Sequence, residues 1–250
     1  MSRLPETDST NRVVLELARG GEAEGAVVVA DHQTAGRGRL GRTWQAPPGA
    51  SLLVTVLLRP PIPVEDAHLV SIAAALAAAD ACAAVAGVHP GLKWPNDLVI
   101  ERDGATRKIA GLLAESIVRG GRVDAVALGM GLNVQWPSPL PEDLASIATA
   151  LNHEAGHDVD RDAVLAGWLE CLADRYARLT AAGGTDALLA AYRVACVTLG
   201  RRVRVELDGA ALLGTATDIT REGHLVVIGD GDADRHVVAA GDVVHVRPAE

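Results

Sequence analysis

The chain has 250 residues, 49% hydrophobic and 22% charged, with a formal net charge of −9. That size and apolar share support one medium domain with a small appendage and exclude intrinsic disorder. The acidic balance opposes non-specific binding to DNA, RNA or an anionic membrane, so any basic site must be local.

In chain order, Asp8, Ser9 and Thr10 read as a helix start, with Val13, Val14 and Leu17 at helical spacing and Gly20-Gly21 as the stop. Ala26 to Ala30 is a short apolar strand that runs into the loop DHQTAGRGRLGRTW. Ser51 to Leu58 is a second apolar strand, stopped by Arg59-Pro60-Pro61. An Ala-rich helix follows from about Val64 to Ala86. Its stretch Leu69 to Val88 holds a single charge, Asp80, and could be mistaken for a membrane span. Alanine is only weakly hydrophobic, and Glu65, Asp66 and His68 lie just before it, so a core helix is the better reading.

Next come three strands: Leu92 to Glu101 carrying KWPND, Lys108 to Val118 after the Asp103-Gly104 turn, and Val123 to Leu128 after Gly120-Gly121. Such turns between apolar runs predict an antiparallel meander. Pro137, Pro139 and Pro141 mark a loop. Helices are predicted over Arg161 to Thr180, with Val164, Leu165, Trp168, Leu172 and Tyr176 on one side, and over Asp186 to Cys196. From Thr198 the runs RVRVEL, DG, LLGTATDIT, GHLVVIG and HVVAAGDVVHVRP predict a small all-β module. The boundary is placed near Ala195, giving domains 1–195 and 196–250.

Cys82, Cys171 and Cys196 stand far apart, with no CxxC or Cys/His cluster, which argues against zinc and disulfides and suits a reducing cytoplasm. The N-terminal MSRLPETDSTN has no apolar run of the kind a signal peptide needs.

Three segments carry candidate chemistry. Gly36-Arg37-Gly38-Arg39-Leu40-Gly41-Arg42 places three arginines within six residues of an otherwise acidic chain. Glycines let backbone approach a ligand, and guanidinium forks match phosphate and carboxylate oxygens. It is neither a Walker A loop nor a dinucleotide fingerprint; a phosphate cradle, a solvated surface loop and an RNA contact all fit it. Lys93-Trp94-Pro95-Asn96-Asp97 faces Arg107-Lys108-Ile109-Ala110-Gly111 across the predicted hairpin. Proline inside a strand-like run disrupts a ladder, and Lys108 among apolar residues needs an anionic partner or a route to the surface. Gly129-Met130-Gly131-Leu132-Asn133 reads as a turn after a strand, either closing on a flat ligand such as a base or simply ending the strand.

GRGRLGRTW, KWPNDL, RKIAGLLAE and GMGLN occur in that order and resemble the motif series of biotin protein ligases over nearly the whole chain. The resemblance implies a class II synthetase-like α/β (α+β) fold: a mixed, largely antiparallel sheet backed by helices, then an SH3-like β-barrel. It implies a two-step reaction with ATP, biotin and Mg²⁺, in which biotinyl-5′-AMP and pyrophosphate form and a lysine of biotin carboxyl carrier protein then accepts the biotin. Residue by residue, Ser9, Thr10 and Gln33 correspond to positions that bind the ureido head, although Ser9 or Thr10 equally suits a helix N-cap. By the same resemblance Gly36 and Arg37 would begin a ligand-ordered loop, Arg37 retaining the adenylate; Arg39 and Arg42 would contact phosphates, and Trp44 would lie against adenine. Lys108 resembles the lysine that bridges the biotin carboxylate and α-phosphate, and Gly111 the glycine that lines the biotin pocket; Lys108, Arg37 and Arg39 are the catalytic candidates. The resemblance implies that Asn96 and Asp97 hold the triphosphate and metal with Lys93 nearby, and that Asn133 recognises adenine.

Bifunctional members carry an N-terminal winged helix-turn-helix; the first motif here begins at Asp8, so a monofunctional ligase without operator binding is expected. Homodimers occur in the family through sheet edges. The competing readings are a lipoate or octanoate ligase, a non-catalytic biotin- or adenylate-binding module, and a nucleic-acid-binding protein prompted by the Gly/Arg loop, which the acidic net charge opposes.

Overall fold

A computed structural model of the chain describes residues 1–179, 181–207, 210–231, 234–239 and 242–245. β1 (Ser2–Thr7) and α1 (Thr10–Arg19) lead into β2 (Val27–Gln33), β3 (Ser51–Leu58) and α2 (His68–Ala86). Then come β4 (Gly91–Lys93), β5 (Asp97–Arg102), β6 (Ala105–Arg119) and β7 (Arg122–Asn133). Four helices follow: α3 (Glu142–Ala145), α4 (Leu151–Ala155), α5 (Arg161–Leu179) and α6 (Gly184–Ala195). The C-terminal part holds β8 (Arg202–Leu207), β9 (Ala210–Ile219), β10 (Leu225–Gly229), β11 (Arg235–Val238) and β12 (Asp242–His245).

The first seven strands form one sheet in the order β1-β2-β3-β7-β6-β5-β4, parallel between β1 and β2 and antiparallel elsewhere. This is the mixed, largely antiparallel sheet that the sequence predicts. β3 is apolar almost throughout because both of its faces are covered. Leu52, Val54, Val56 and Leu58 pack towards α2, whereas Leu57 meets Val14 and Ala18 of α1 on the opposite face.

α2 is long and apolar enough to cross a membrane by length and composition. It is instead the central core helix, clustered with Trp168 and Leu172 of α5 and Leu189 of α6. Its alanines allow close approach: a Cβ on Gly167 of α5 would sit 3.7 Å from the Ala81 methyl. Trp168, fully buried, donates its Nε1 to the Ala74 carbonyl at 3.2 Å, which satisfies the indole N–H inside the core.

The remaining strands form a second, all-antiparallel sheet in the order β11-β10-β9-β8-β12. Backbone joins the two sheets where Val197 N donates to Leu92 O at 2.9 Å. Side chains add to this: Trp94 Nε1 donates to Gly223 O at 2.9 Å, and Arg193 pairs with Asp218 at 2.6 Å.

Several expectations need correction. The strand expected over Leu92 to Glu101 is broken at 94–96 into β4 and β5, because Pro95 has no N–H for the ladder. β7 does not stop at Leu128. It runs on to Asn133, so Gly129 to Leu132 is strand paired on both sides, with β3 and β6, and Asn133 ends the strand against Ser51 of β3; the segment is not a turn. The loop expected around Pro137 to Pro141 is present, and the short helices α3 and α4, which the sequence did not predict, follow it. β1 lies in a segment that the sequence left without structure. The predicted end of the α5 helix at Thr180, the Asp208-Gly209 turn and the last run beyond His245 fall outside the described residues.

Candidate active site

The site lies on the α1 face of the sheet, beyond the N-terminus of that helix, where the floor is nearly bare of side chains. Gly111 of β6 is the register partner of Gly131 of β7, and Leu113 is the partner of Gly129. A Cβ on Gly131 would sit 2.6 Å from Cε2 of the Trp44 indole, and one on Gly129 would run into the Asn11 amide. A Cβ on Gly111 would sit 2.9 Å from Lys108 Nζ and 3.3 Å from Cζ3 of Trp44. These glycines therefore serve close approach rather than chain reversal, which is why a strand tolerates them.

The Gly/Arg segment is a small hairpin strap over this floor. Trp44 N donates to Gly36 O at 2.9 Å, Gly38 N donates to Arg42 O at 2.7 Å, and Arg37 bridges to Thr43. Its turn places Leu40 at φ 55° and Gly41 at φ 73°, a left-handed pair in which only the glycine is at ease. Gly36 cannot carry a side chain, since a Cβ there would sit 2.5 Å from the Trp44 carbonyl oxygen and 3.0 Å from Gln33 Nε2.

Between strap and floor is a cleft. Lys108 Nζ lies 2.6 Å from Asp97 Oδ1 and 5.3 Å from the centroid of the Trp44 ring. The charge of Lys108 is thus met by a carboxylate on one side and an aromatic face on the other. Trp44 Nε1 is buried without a protein partner, a donor placed to meet a ligand acceptor. At the other end, the amide nitrogen and hydroxyl of Thr10 both donate to Gln33 Oε1, at 2.8 and 3.0 Å. Ser9 occupies the N-cap position of α1, yet its hydroxyl makes no capping bond and lines the cleft. Gln33 satisfies the backbone N–H of Thr10, the first residue of the helix.

Residues 4–133 match the sequence pattern of the biotin/lipoate A/B protein ligase family, and residues 198–246 match the biotin protein ligase C terminal domain. The chain belongs to this ligase family. A biotin–[acetyl-CoA-carboxylase] ligase of Mycobacterium tuberculosis is 40% identical over 97% of this chain and 87% of its own length. The bifunctional ligase/repressor BirA of Bacillus subtilis is 34% identical over 88% of this chain, which spans 66% of that longer relative. A biotin protein ligase of Aquifex aeolicus, solved in complex with biotin and ATP, superposes with a TM-score of 0.81 at 25% identity, over 99% of this chain and 98% of that one.

Within the ligase fold, the cleft gathers most of the residues singled out from sequence. Ser9, Thr10, Gln33, Arg37, Arg39, Arg42, Trp44, Lys93, Asn96, Asp97, Lys108 and Gly111 all line it. Gly36 lies beside it as the hinge of the strap. Asn133 is not among the lining residues: it is buried, its amide donates to Thr149 O at 3.0 Å, and its Oδ1 accepts from Ser51 Oγ at 3.1 Å. Asn96 spends its amide on Leu112 O at 2.7 Å, shaping the turn between β4 and β5.

The sequence did not point to Asn11, which lines the cleft, or to the role of Trp94. Asn11 follows directly on the helix start, and Gly129 leaves it room; that pairing across the chain has no local signal. Trp94 was read only as part of a motif, yet its indole holds the C-terminal module through Gly223.

Proposed function

We propose that the chain is a biotin protein ligase, forming biotinyl-5′-AMP from biotin and ATP with release of pyrophosphate and then transferring the biotinyl group to a lysine of a biotin carboxyl carrier protein with release of AMP. The observation that carries the reading is Lys108 Nζ, 2.6 Å from Asp97 Oδ1 on a glycine floor roofed by the arginine strap. A biotin carboxylate attacking the α-phosphorus of ATP brings two anions together, and a fixed cation at that point offsets both the repulsion and the charge that develops. Lys108 fills that role, with Asp97 orienting its ammonium group. Arg39 and Arg42 on the strap meet the phosphates, Lys93 stands nearby, and Trp44 gives a flat surface for the base. Ser9, Thr10 and Gln33 offer donors and acceptors to the ureido ring, and Gly111 leaves room for the biotin chain. The strap shields the labile anhydride from water, and Arg37 keeps it closed so that the adenylate is retained.

Asp97 is the one carboxylate among the described residues of the cleft, and no cluster of three metal-binding side chains occurs among the described residues. One carboxylate fits Mg²⁺, which binds through substrate phosphates and water with one or two protein ligands. Asp97 would hold it, and the ion would neutralise charge on the triphosphate. The match to the biotin protein ligase C terminal domain favours biotin over lipoate as the acid. We assign residues 1–195 to the catalytic unit and 196–250 to a C-terminal β-module. The unpaired state of Cys82, Cys171 and Cys196 supports a cytoplasmic location. β6 outruns β5, whose pairing ends at Gly111, and the edge beyond is where a homodimer would pair.

The test is ATP–pyrophosphate exchange by the purified chain with Mg²⁺ and biotin, lipoate, octanoate or no acid. Exchange with biotin alone is expected. Exchange with lipoate or octanoate instead would replace the substrate, and none with any acid would overturn the reading in favour of a binding module.

A further inference from the structure

Glu115 lies outside the cleft and outside every role assigned above, yet its carboxylate reaches both the strap and α1. It stands on β6 opposite Ala127, on the same sheet face as Gly111. Its Oε2 accepts from Arg37 Nη2 at 2.9 Å and from Asn11 Nδ2 at 2.8 Å. A carboxylate on a half-covered sheet face loses hydration and is held there only by such donors. Asn11 in turn donates to Leu113 O at 3.1 Å and accepts from Thr55 Oγ1 at 2.7 Å. The Thr55 and Thr10 hydroxyl oxygens are 2.8 Å apart, and Thr10 donates to Gln33. Polar contacts therefore run from Arg37 at the strap to Gln33 at the opposite end of the cleft, with the single Thr55 hydroxyl proton shared between Asn11 Oδ1 and Thr10 Oγ1.

We infer that Glu115 is a positioning residue for the reaction: through Arg37 it holds the strap closed, and through Asn11 it links that closure to the Thr10–Gln33 end. The backbone bonds of the strap run within its own hairpin, from Gly38 to Arg42 and from Arg42 to Arg39, so they shape it without fixing it to the sheet. The Arg37–Glu115 pair provides such a fixing across the cleft wall. The two side chains are 44% and 27% exposed, so their pairing is worth a factor of about five in closure, and not orders of magnitude. That is enough to change how long a labile intermediate stays enclosed while leaving its formation intact.

The inference rests on the ligase reading, and its test separates the two. Leu40 at the strap's turn is exposed, and thermolysin cleavage of the native full chain there reports strap opening without any substrate. Glu115→Gln keeps the shape and the bond to Asn11 but removes the charge, and should speed that cleavage about fivefold. In an Arg37→Ala background it should add nothing, and Arg37→Lys should fall between the wild type and Arg37→Ala. With biotin and ATP, Glu115→Gln should release adenylate faster, with exchange kcat kept within about twofold. Unchanged cleavage in Glu115→Gln, or rates that add independently in the double variant, would overturn the inference. Loss of exchange in the wild-type chain would instead overturn the ligase reading, leaving the cleavage comparison to decide the role of Glu115 in the strap.

Discussion

Gly111 on β6 and Gly131 on β7 face one another across the ladder, and the Trp44 indole lies against both. Two side-chain-free positions at one register give the flat surface that an aromatic ring or a planar ligand needs. Gly131→Ala would place a methyl 2.6 Å from Cε2 of the indole. Overpacking of this kind costs about 1–3 kcal/mol, or roughly five- to hundredfold in affinity. Trp44 sits on the strap and can move away, so the cost should fall on biotin and ATP binding rather than on folding. Calorimetric titration should show the loss while the melting temperature stays within a few degrees. An unfolded variant, or unchanged affinity, would contradict this.

How much of this was legible in the sequence depends on the range of the interactions involved. β3 was read to its true ends because eight buried residues in a row mark a strand covered on both faces. β1 was not, because Pro5 and charged Arg3 and Glu6 carry no strand signal; its ladder with β2 comes from tertiary position at a sheet edge. The four motifs named most of the cleft, while the Ser9, Thr10 and Gln33 end lay outside them. Glycines 129 and 131 were misread as a turn, since local chemistry does not distinguish a glycine that reverses a chain from one that lets Asn11 or Trp44 approach it. The same limit hid the burial of Asn133 against Ser51 and Thr149.

The Lys108–Asp97 pair makes a sharper prediction. Lys108→Ala removes the cation and leaves Asp97 facing incoming phosphate, so pyrophosphate exchange should fall by about 100-fold or more. Asp97→Asn leaves the ammonium in place but less well oriented, and should lower kcat by a smaller factor. If Lys108→Ala retained full exchange, its assigned role would be lost.

Arg37→Gly breaks the ion pair with Glu115 and gives the strap a second flexible hinge beside Gly36. Adenylate should still form but should escape and label bystander lysines, as mass spectrometry of an unrelated protein in the same reaction would report. Comparison with Arg39→Gly separates the two arginines: both line the cleft, but Arg37 is paired with Glu115 whereas Arg39 is assigned to the phosphates, so its loss should also raise KM for ATP. Unchanged acceptor specificity in Arg37→Gly would count against the enclosing role of the strap.

His68 ties acid stability to the junction between the two sheets. At the start of α2, its Nδ1 lies 2.8 Å from Glu65 O and its Nε2 3.2 Å from Arg221 O, and it packs against Gly223 in the turn that Trp94 also holds. Burial lowers its pKa below the ordinary 6.5, outweighing the two carbonyls and nearby Asp66, which favour the charged ring. The folded chain therefore takes up a proton less readily than the unfolded chain. As pH falls from 6.5 towards the lower folded value, the unfolded state binds the proton first and stability declines; above 6.5 the contribution is complete. His68→Gln removes this titration and keeps one donor for a carbonyl. The melting temperature of the wild type should drop more steeply on acidification through this range than that of the variant, with Glu65, Glu222 and His224 common to both. Parallel curves would show that the ring is already protonated in the folded chain, bridging both carbonyls as a cation.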